Sequence, residues 1–413
     1  MGWDYIPFGM ICDIGFSMDP GQEAKFSNIE IRNYREPNNI LFEEEPVEDY
    51  DGIFADHLAA ADGSYLVDGG DNGMIVTADP SRNSTPMLRK EFDVDKRVES
   101  ARLYVTARGI YEVQINGNKI GSDFYNPGQT QYNKSHFYQT YDVTELIESG
   151  NNAIGAMLAE GWWSGLLSFG EVWNEGWSSP GFDDSNWGNA RVVPLEGTSY
   201  TDNAIADALS FDDMKLIGQI GNNAGEYETL TSKSVEEVRP GVFVYDMGQN
   251  FVGVPRITFE NGIEGDTIIL RVSEMLYPDL PESGQIAGMI MTENYRAALC
   301  QDIYIMKDGP QVFQPKFTSR GYQYIEITGI EMPLPPSAVK GVAISSVLEL
   351  TAGYTTSNDQ VNQLWSNLCW SNVDNFLTLP TDCPQRNERM GWSGDISVFS
   401  RTATYISNSD QFL

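Results

Sequence analysis

Histidine is nearly absent from this sequence: 413 residues hold only His57 and His136. No H-E-x-x-H pair can be written, multi-His metal sites are excluded, and a Ser-His-Asp triad would have to use one of these two. His136 sits in "NKSHFYQTYDV", which alternates like a strand, so it reads as a core or surface residue rather than a base. Cysteine is scarce as well. Cys12, Cys300, Cys369 and Cys383 form no C-x-x-C pair and are too sparse for a disulfide framework, which makes them free thiols. Positive charge is short: 26 Lys and Arg face 59 Asp and Glu, a formal net charge of −33. Such a surface repels phosphate backbones and argues against nucleic acid as a partner. Solubility accounts for the acidity, with calcium-binding loops as the sharper alternative. No apolar run is long enough to span a bilayer, so a membrane partner is not expected. G-x-S-x-G and G-x-x-x-x-G-K-[ST] are both missing, which removes serine-hydrolase and nucleotide readings.

What is present suits packed domains. Hydrophobic residues make up 41% and aromatics 12%, and the length exceeds one core, so about three domains are expected. Most of the chain reads as short strands broken by Gly, Asn, Asp and Pro. In "SARLYVTARGIYEVQINGNKIG", Leu103, Val105 and Ala107 alternate with Tyr104 and Thr106. Tyr111, Val113 and Ile115 continue the pattern, and Asn116-Gly117 suits a tight hairpin. A turn is expected at Gly150-Asn151-Asn152. This is an antiparallel β-sandwich pattern. A second such region runs from about Val242 to Val347, through "GVFVYDMGQNFVGVPRITF", "DTIILRVSEML", "CQDIYIM" and "YQYIEITGI", with another turn at Asn261-Gly262. In the first 84 residues "FSNIEIRNY" and "GMIVTAD" read as strands, whereas "DHLAAADGSYL" has no period.

The pattern changes after Ala352. Val361, Leu364, Trp365, Leu368, Cys369, Val373 and Phe376 recur at steps of three and four, an amphipathic helix. Ser357 with Gln360 reads as its capping box, and Pro380 as its stop. Beyond it lies "TDCPQRNERMGWSGD", Thr381 to Asp395. Clustered charges are usually a salt-bridged loop. Here Pro384, Gly391 and Gly394 mark a bent loop, the acids outnumber what an ion pair needs, and Trp392 lies beside them. Carboxylates next to an aromatic face are what a sugar ring demands.

The same residues resemble a family signature. "DCPQRNERMGWSGD" is similar to that of bacterial α-L-rhamnosidases, glycoside hydrolase family 78. "VYDMGQNFVGVPRI", "FQPKFTSRGYQYIEITG", "LRKEFDVDKRVESARLYVTARGIYEVQINGNKIG" and "NAIGAMLAEGWWSG" resemble upstream segments of the same family. The resemblance implies a mainly β chain: tandem antiparallel β-sandwiches followed by the first helices of an (α/α)6 barrel. Expected divisions are an N-terminal β-rich region (1–84), an N-terminal sandwich (85–235) shortened near 169–173, a second sandwich (236–350) and the start of the barrel (351–413). It implies hydrolysis of terminal α-L-rhamnose from rhamnose-containing oligosaccharides or glycosides, with inversion and without a cofactor. Two carboxylates about 6.5–9.5 Å apart would flank the bond. Glu388 is then the general acid. Asp382 and Asp395 would bind sugar hydroxyls, Arg386 would hold the sugar or orient carboxylates, and Trp392 would line the subsite.

Arg386 and Arg389 flank Glu388, and a close Arg lowers a carboxyl pKa by about 1–3 units, the reverse of what an acid needs. The arginines must therefore point mainly elsewhere. Asn387 stands where the family usually has Asp. The family's general base is a Glu farther downstream than Asp395, so the chain is expected to be truncated within the catalytic domain, to carry one half of the site, to be inactive alone, and to be loosely held after about Pro380. Some members bind rhamnose through calcium on a sandwich, which extends here to residues 100–158 as an expectation with no named ligand set. The competing class is a non-catalytic carbohydrate-binding β-sandwich protein. The N-terminus lacks a basic n-region, with Asp4 interrupting its apolar residues, and points to the cytoplasm; an extracytoplasmic site stays open if Met1 is not the natural start. No feature sets an oligomeric state.

Overall fold

The computed structural model describes residues 85–132, 134–159, 161, 176–190, 214–296, 298, 300–386 and 391–412, with short stretches of the first 84 residues (16–18, 23–32, 40–44, 58–61, 63–68 and 74–76). In that first part, strands Ile29–Arg32 and Met74–Val76 fall where the sequence reads them, and Glu23–Phe26 is a strand just before the first of them. The stretch without a period, "DHLAAADGSYL", forms a hairpin of Leu58–Ala61 with Ser64–Asp68 about Gly63 at φ +68°. Its alanines offer no polar–apolar contrast to read.

The alternating segments that follow fold into two facing sheets. One orders Asn118–Lys119, Ile110–Ile115, Gly150–Ala159 and Met87–Val94; the other orders Lys215–Gly218, Ser135–Asp142 and Arg102–Val105. Tyr111, Val113 and Ile115 meet Leu103, Val105 and Tyr141 between them, as the period of two requires. Asn116 and Gly117, at φ +50° and +79°, make the expected two-residue hairpin, with Ile115 opposite Asn118. The turn expected at Gly150-Asn151-Asn152 is not there, because all three open the strand Gly150–Ala159. Asn152 is fully buried. Its amide donates to Glu148 O and Gly150 O, and its oxygen accepts from Glu148 N and the Asn116 amide. Lys215–Gly218 joins Ser135–Asp142 in parallel, which departs from the antiparallel pattern of the other described strands. His136 is buried and stacks on Tyr132 with centroids 5.3 Å apart; burial keeps its pKa below the usual range. The shortening expected near 169–173 lies outside the described residues.

The outer face of the four-stranded sheet is also covered. Gly155 leaves room for Trp177, whose ring would stand 2.3 Å from a Cβ there. The Ser178 hydroxyl donates to Gln114 Oε1 at 2.6 Å. Beside them the buried Glu112 meets Lys316 Nζ at 2.9 Å and Lys119 Nζ at 3.4 Å. Burial pushes this carboxyl up, but the two ammonium groups outweigh it and hold it below its ordinary 4.5. Its contribution to stability is therefore present above about pH 4.5 and is lost as pH falls through the lower folded value. Lys316→Met leaves Glu112 with one ammonium, Lys119, and the Gln114 amide, which donates to it at 3.0 Å. The expected loss is ~2 kcal/mol, short of a fully buried pair because Lys119 remains. Denaturant unfolding should show that difference at pH 7 and see it shrink at pH 4; an equal difference at both would argue against the ion pair as its cause.

Lys316 lies in the loop between Gly309–Phe313 and Arg320–Thr328, two strands of the central sheet, whose axis is one 21-residue strand, Val242–Gly262. Its first part pairs with Ser234–Arg239 and with the end of Arg320–Thr328. The register then jumps from Asp246–Tyr324 to Phe251–Tyr322. Met247 to Asn250 bulge out, with Gly248 at φ +83° and its N–H on Asp246 Oδ1. Past the bulge the strand pairs with Val339–Ser345 and Gly309–Phe313. The strand thus changes neighbours along its length, bent by a bulge as such strands are. The core beside it gathers Phe243, Tyr245, Met247, Phe251, Ile257, Ile268, Leu270, Tyr322 and Ile325. Gly225–Thr231 also joins this sheet, beside Val339–Ser345. The turn expected at Asn261-Gly262 falls three residues later: these two end the long strand, and the chain reverses at Glu264-Gly265, with Asp266 N on Ile263 O at 3.1 Å. Gly262 is needed for close approach, since a Cβ there would stand 1.8 Å from Gln311 Nε2.

The helix read after Ala352 is present, as α1 (Asp359–Asn375). Its cap is Asn358 and not Ser357: the Asn358 side chain accepts from Gln360 N and Val361 N, the role an N-cap plays. Cys369, Asn372 and Val373 are buried, whereas Leu364 is 58% exposed, so only the C-terminal half of the expected apolar face is covered. The helix ends before Pro380. Phe376–Leu377 pairs with Leu379–Pro380 in a small hairpin about Thr378 at φ +62°. Its last carbonyls are satisfied from the central sheet and the next loop, by Ser345 Oγ on Val373 O, Ser346 N on Phe376 O and Thr381 N on Asn375 O, as a helix end requires. A second helix, α2 (Ser393–Ile406), buries Ala403 and Ile406. Asn372 of α1 donates to Ser407 Oγ at 2.9 Å, just beyond it. No helix among the described residues is long and apolar enough to cross a membrane.

Candidate active site

The signature begins where α1 docks on the central sheet. Thr381 is tied to the helix end, its N–H on Asn375 O at 2.7 Å. Gln385 lies over Gly321, where a Cβ would stand 2.6 Å from its own Cβ and 3.6 Å from Val252 Cγ2. The Cys300 thiol donates to Gln385 O at 3.7 Å. Gly321 follows Arg320, which is held by both oxygens of Asp302. The glycine in "TSRGYQY" is thus a seat for the signature.

Asp382 and Arg386 converge on one atom. Asp382 Oδ1 accepts the Cys383 N–H at 2.7 Å, and Oδ2 accepts from the Cys383 thiol at 3.4 Å. One Arg386 nitrogen donates to the same sulfur at 2.8 Å. Burial, then the Asp382 carboxylate, pushes this thiol above its usual range. Cys300, Cys369 and Cys383 form no disulfide among the described residues; Cys12 lies outside them. Cys383 therefore joins two candidate ligands, a role that sequence reasoning did not give it.

Glu388, Asn387 and Arg389 lie outside the described residues. The other end of the signature is described. A Cβ on Gly391 would stand 2.9 Å from Leu379 Cδ1 and 3.4 Å from Pro380 O, so the chain returns to the hairpin it left at Thr381. Trp392 is 38% exposed and is the N-cap of α2; Asp395 is exposed in its first turn. A carboxylate there is favoured by the helix dipole. Gly394, read as part of a bent loop, lies within this helix. The fold thus brings Asp382 and Arg386 together on the sheet side and sets Trp392 and Asp395 at the mouth of α2.

Two carboxylates lie beneath the loop. Glu274 takes the Asn250 amide at 2.9 Å and the Asn294 amide at 2.6 Å, one on each oxygen. Asp374, near the end of α1, takes the Val252 N–H at 2.8 Å. Burial above all, and the Glu274 charge after it, push Asp374 up to about 7 against the pull of that N–H. The "DMGQN" stretch signals Asn250 in the sequence; nothing there pairs Glu274 with Asp374. Among the described residues no group of three or more His, Cys, Asp or Glu is gathered that could hold a metal ion, so no step is drawn through calcium.

Three family models match in order along the chain: the alpha-L-rhamnosidase N-terminal domain over 96–174, the bacterial alpha-L-rhamnosidase concanavalin-like domain over 236–345, and the bacterial alpha-L-rhamnosidase 6 hairpin glycosidase domain over 349–413. An alpha-L-rhamnosidase of Streptomyces avermitilis is 33% identical over 464 residues, covering 98% of this chain and 42% of the relative. One from Formosa agariphila is 34% identical over 384 residues, covering 83% and 40%. The crystal structure of the Streptomyces avermitilis alpha-L-rhamnosidase complexed with L-rhamnose superposes with a TM-score of 0.69 at 32% identity, over 80% of this chain and 35% of that one. That of alpha-L-rhamnosidase from Dictyoglumus thermophilum gives 0.70 at 26% identity, over 94% and 43%. The chain thus spans about two fifths of the length of the curated relatives it matches. With the signature seated between a bent β-domain and two helices, and three domains of one family matched in sequence, the chain belongs to the bacterial α-L-rhamnosidase family.

Proposed function

We propose that this chain carries the general-acid side of an inverting α-L-rhamnosidase site, with Glu388 protonating the leaving oxygen. The observation that carries the reading is the placing of the signature. Its described parts return to the hairpin Phe376–Pro380 at both ends, with Asp382 and Arg386 preceding Glu388 in the sequence and Trp392 and Asp395 following it. Asp382 and Asp395 would accept hydroxyl hydrogen bonds from the sugar, Trp392 would cover its less polar face, and Arg386 would hold the Cys383–Asp382 corner in place. The substrate class is a terminal α-L-rhamnose on an oligosaccharide or other glycoside; the rhamnose complex of the Streptomyces avermitilis relative supports that choice. A second carboxylate must activate water from the opposite face; by the family resemblance it is a Glu farther downstream than Asp395. Two-carboxylate glycoside hydrolysis requires no cofactor.

The test is to assay the whole protein on aryl α-L-rhamnosides and to follow the first-formed sugar by NMR. Release of β-L-rhamnose is expected. Release of the α-anomer would overturn inversion, and rhamnose binding without turnover would favour the carbohydrate-binding reading.

A further inference from the structure

After the hairpin at Asn116-Gly117 the N-terminal sandwich sends out a tongue, residues 121–128. Its base is fixed in the sandwich. Asn126 is buried, its carbonyl accepts from Tyr111 N at 2.8 Å, and its amide donates to Tyr141 Oη at 3.0 Å. The tip reaches the central sheet, where Phe124 N donates to Ala224 O at 2.8 Å, just before the strand Gly225–Thr231. Tyr125, the next residue, has φ +56°. A bulky side chain rarely takes this left-handed backbone, and it persists only where the surroundings hold it.

Tyr125 is held at its hydroxyl and at its ring, and both contacts lead to the signature. The hydroxyl donates to Thr318 O at 2.5 Å. Thr318 stands in the loop that also carries Lys316, the partner of Glu112. That loop runs into Arg320-Gly321, the seat of Gln385. The ring, with that of Phe124, packs on a buried cluster that includes Val254 and Ile344. Leu377 packs on the same cluster, in the hairpin Phe376–Pro380 from which the signature leaves. Through one side chain the sandwich therefore reaches both supports of residues 376–386: the cluster under the hairpin, and the loop that leads to the seat of Gln385.

We propose that Tyr125 is a positioning residue for the active-site stretch: it makes the N-terminal sandwich part of the frame on which Asp382, Gln385 and Arg386 are set. The inference rests on reading that stretch as the active-site loop, and it gives the sandwich a part in sugar binding that needs no ligand on the sandwich itself. Without the Tyr125 contacts the hairpin and the seat lose a common support, and the fraction of molecules with the stretch in place falls. A sugar that binds only the seated form then binds more weakly by that fraction, and once bound it holds the stretch in place. Loss of Tyr125 therefore raises KM and leaves kcat. Loss of folded protein does the reverse, lowering apparent kcat at an unchanged KM.

Hydrogen exchange and kinetics of the whole protein test this together. Tyr125→Phe keeps the ring and loses the bond to Thr318 O. The opening constant of residues 376–386 is expected to rise about fivefold, the usual worth of one hydrogen bond. Tyr125→Ala loses the ring as well and should raise it about tenfold more, with protection of the sandwich strand Gly150–Ala159 retained. KM for an aryl α-L-rhamnoside should rise in the same order, Ala above Phe above wild type, at a constant kcat. Tyr125→Phe, the milder change, decides the matter if Tyr125→Ala does not fold. Unchanged exchange across 376–386, exchange that rises equally across 150–159, or a KM that stays at the wild-type value would each overturn the positioning role. If the wild type does not turn over rhamnosides, the glycosidase proposal falls, and exchange alone decides whether Tyr125 holds the stretch.

Discussion

Replacing Glu388 by Gln in the whole protein is expected to lower turnover of an alkyl α-L-rhamnoside by roughly 10²–10⁴-fold, the usual worth of a general acid. An alkoxide is a poor leaving group and needs its proton in the transition state. A nitrophenolate leaves with little help, so the loss on a nitrophenyl rhamnoside should be much smaller. The contrast matters more than either figure, because a variant that merely misfolds loses both substrates alike. The acidic branch of the pH profile on the alkyl substrate should stay, and the basic branch, where the acid is lost, should vanish. Near-normal turnover of the alkyl glycoside by Glu388→Gln would remove Glu388 from the acid role. An equal loss on both substrates would assign it to binding or folding.

Phe376→Ala is the substitution expected to cost the most in stability around the site. Its ring is 1% exposed. It packs edge-on against Phe412 at 4.7 Å and tilted against Phe399 at 6.5 Å, in the cluster that also holds Val347, Val373 and Ala403. Its carbonyl takes the Ser346 N–H at 2.7 Å. Truncating a fully buried Phe costs about 3–5 kcal/mol. Several domains need not unfold together, so the loss should be read locally, as hydrogen exchange across 359–406 compared with the strands of 242–262. Protection should collapse in the helices and persist in the strands. A change below about 1 kcal/mol in the helices would mean that the cluster relaxes around the gap, and that this ring does not hold the helices to the sheet.

Much of this architecture is legible in the residues. Period-two segments such as Arg102–Val105 and Ile110–Ile115 are strands, Asn116-Gly117 is a hairpin turn, and the three- and four-residue steps after Ala352 are a helix. These signals are local, and local sterics decide them. The misreadings have different causes. Ser357 loses the cap to a local competitor: Asn358, one residue on, places its oxygen over Gln360 N and Val361 N. Asn261-Gly262 is not the turn because Gly309–Phe313 extends the ladder to Gly262 and Gln311 needs the space that this glycine leaves. Asn152 has no turn to make because its side chain is spent on Glu148, Gly150 and Asn116. In these two a neighbour from another strand overrode a local propensity.

The candidate site divides the same way. The sequence by itself determined the family, the crowding of acids, arginines and a tryptophan within Thr381–Asp395, and the switch from strand to helix just before them. Those are matters of residue type and spacing along one chain. Only the tertiary structure decided that Asp382 and Arg386 share the Cys383 sulfur, that Gly321 is the seat of Gln385, and that burial at the end of α1 pushes the Asp374 carboxyl up, with the Glu274 charge adding to it. Glu274 and Asp374 are a hundred residues apart in sequence. The bulge at Met247–Asn250, together with the docking of α1 on Val252, brings them to one place, and charge coupling depends on distance through space and on burial, neither of which is written along the chain.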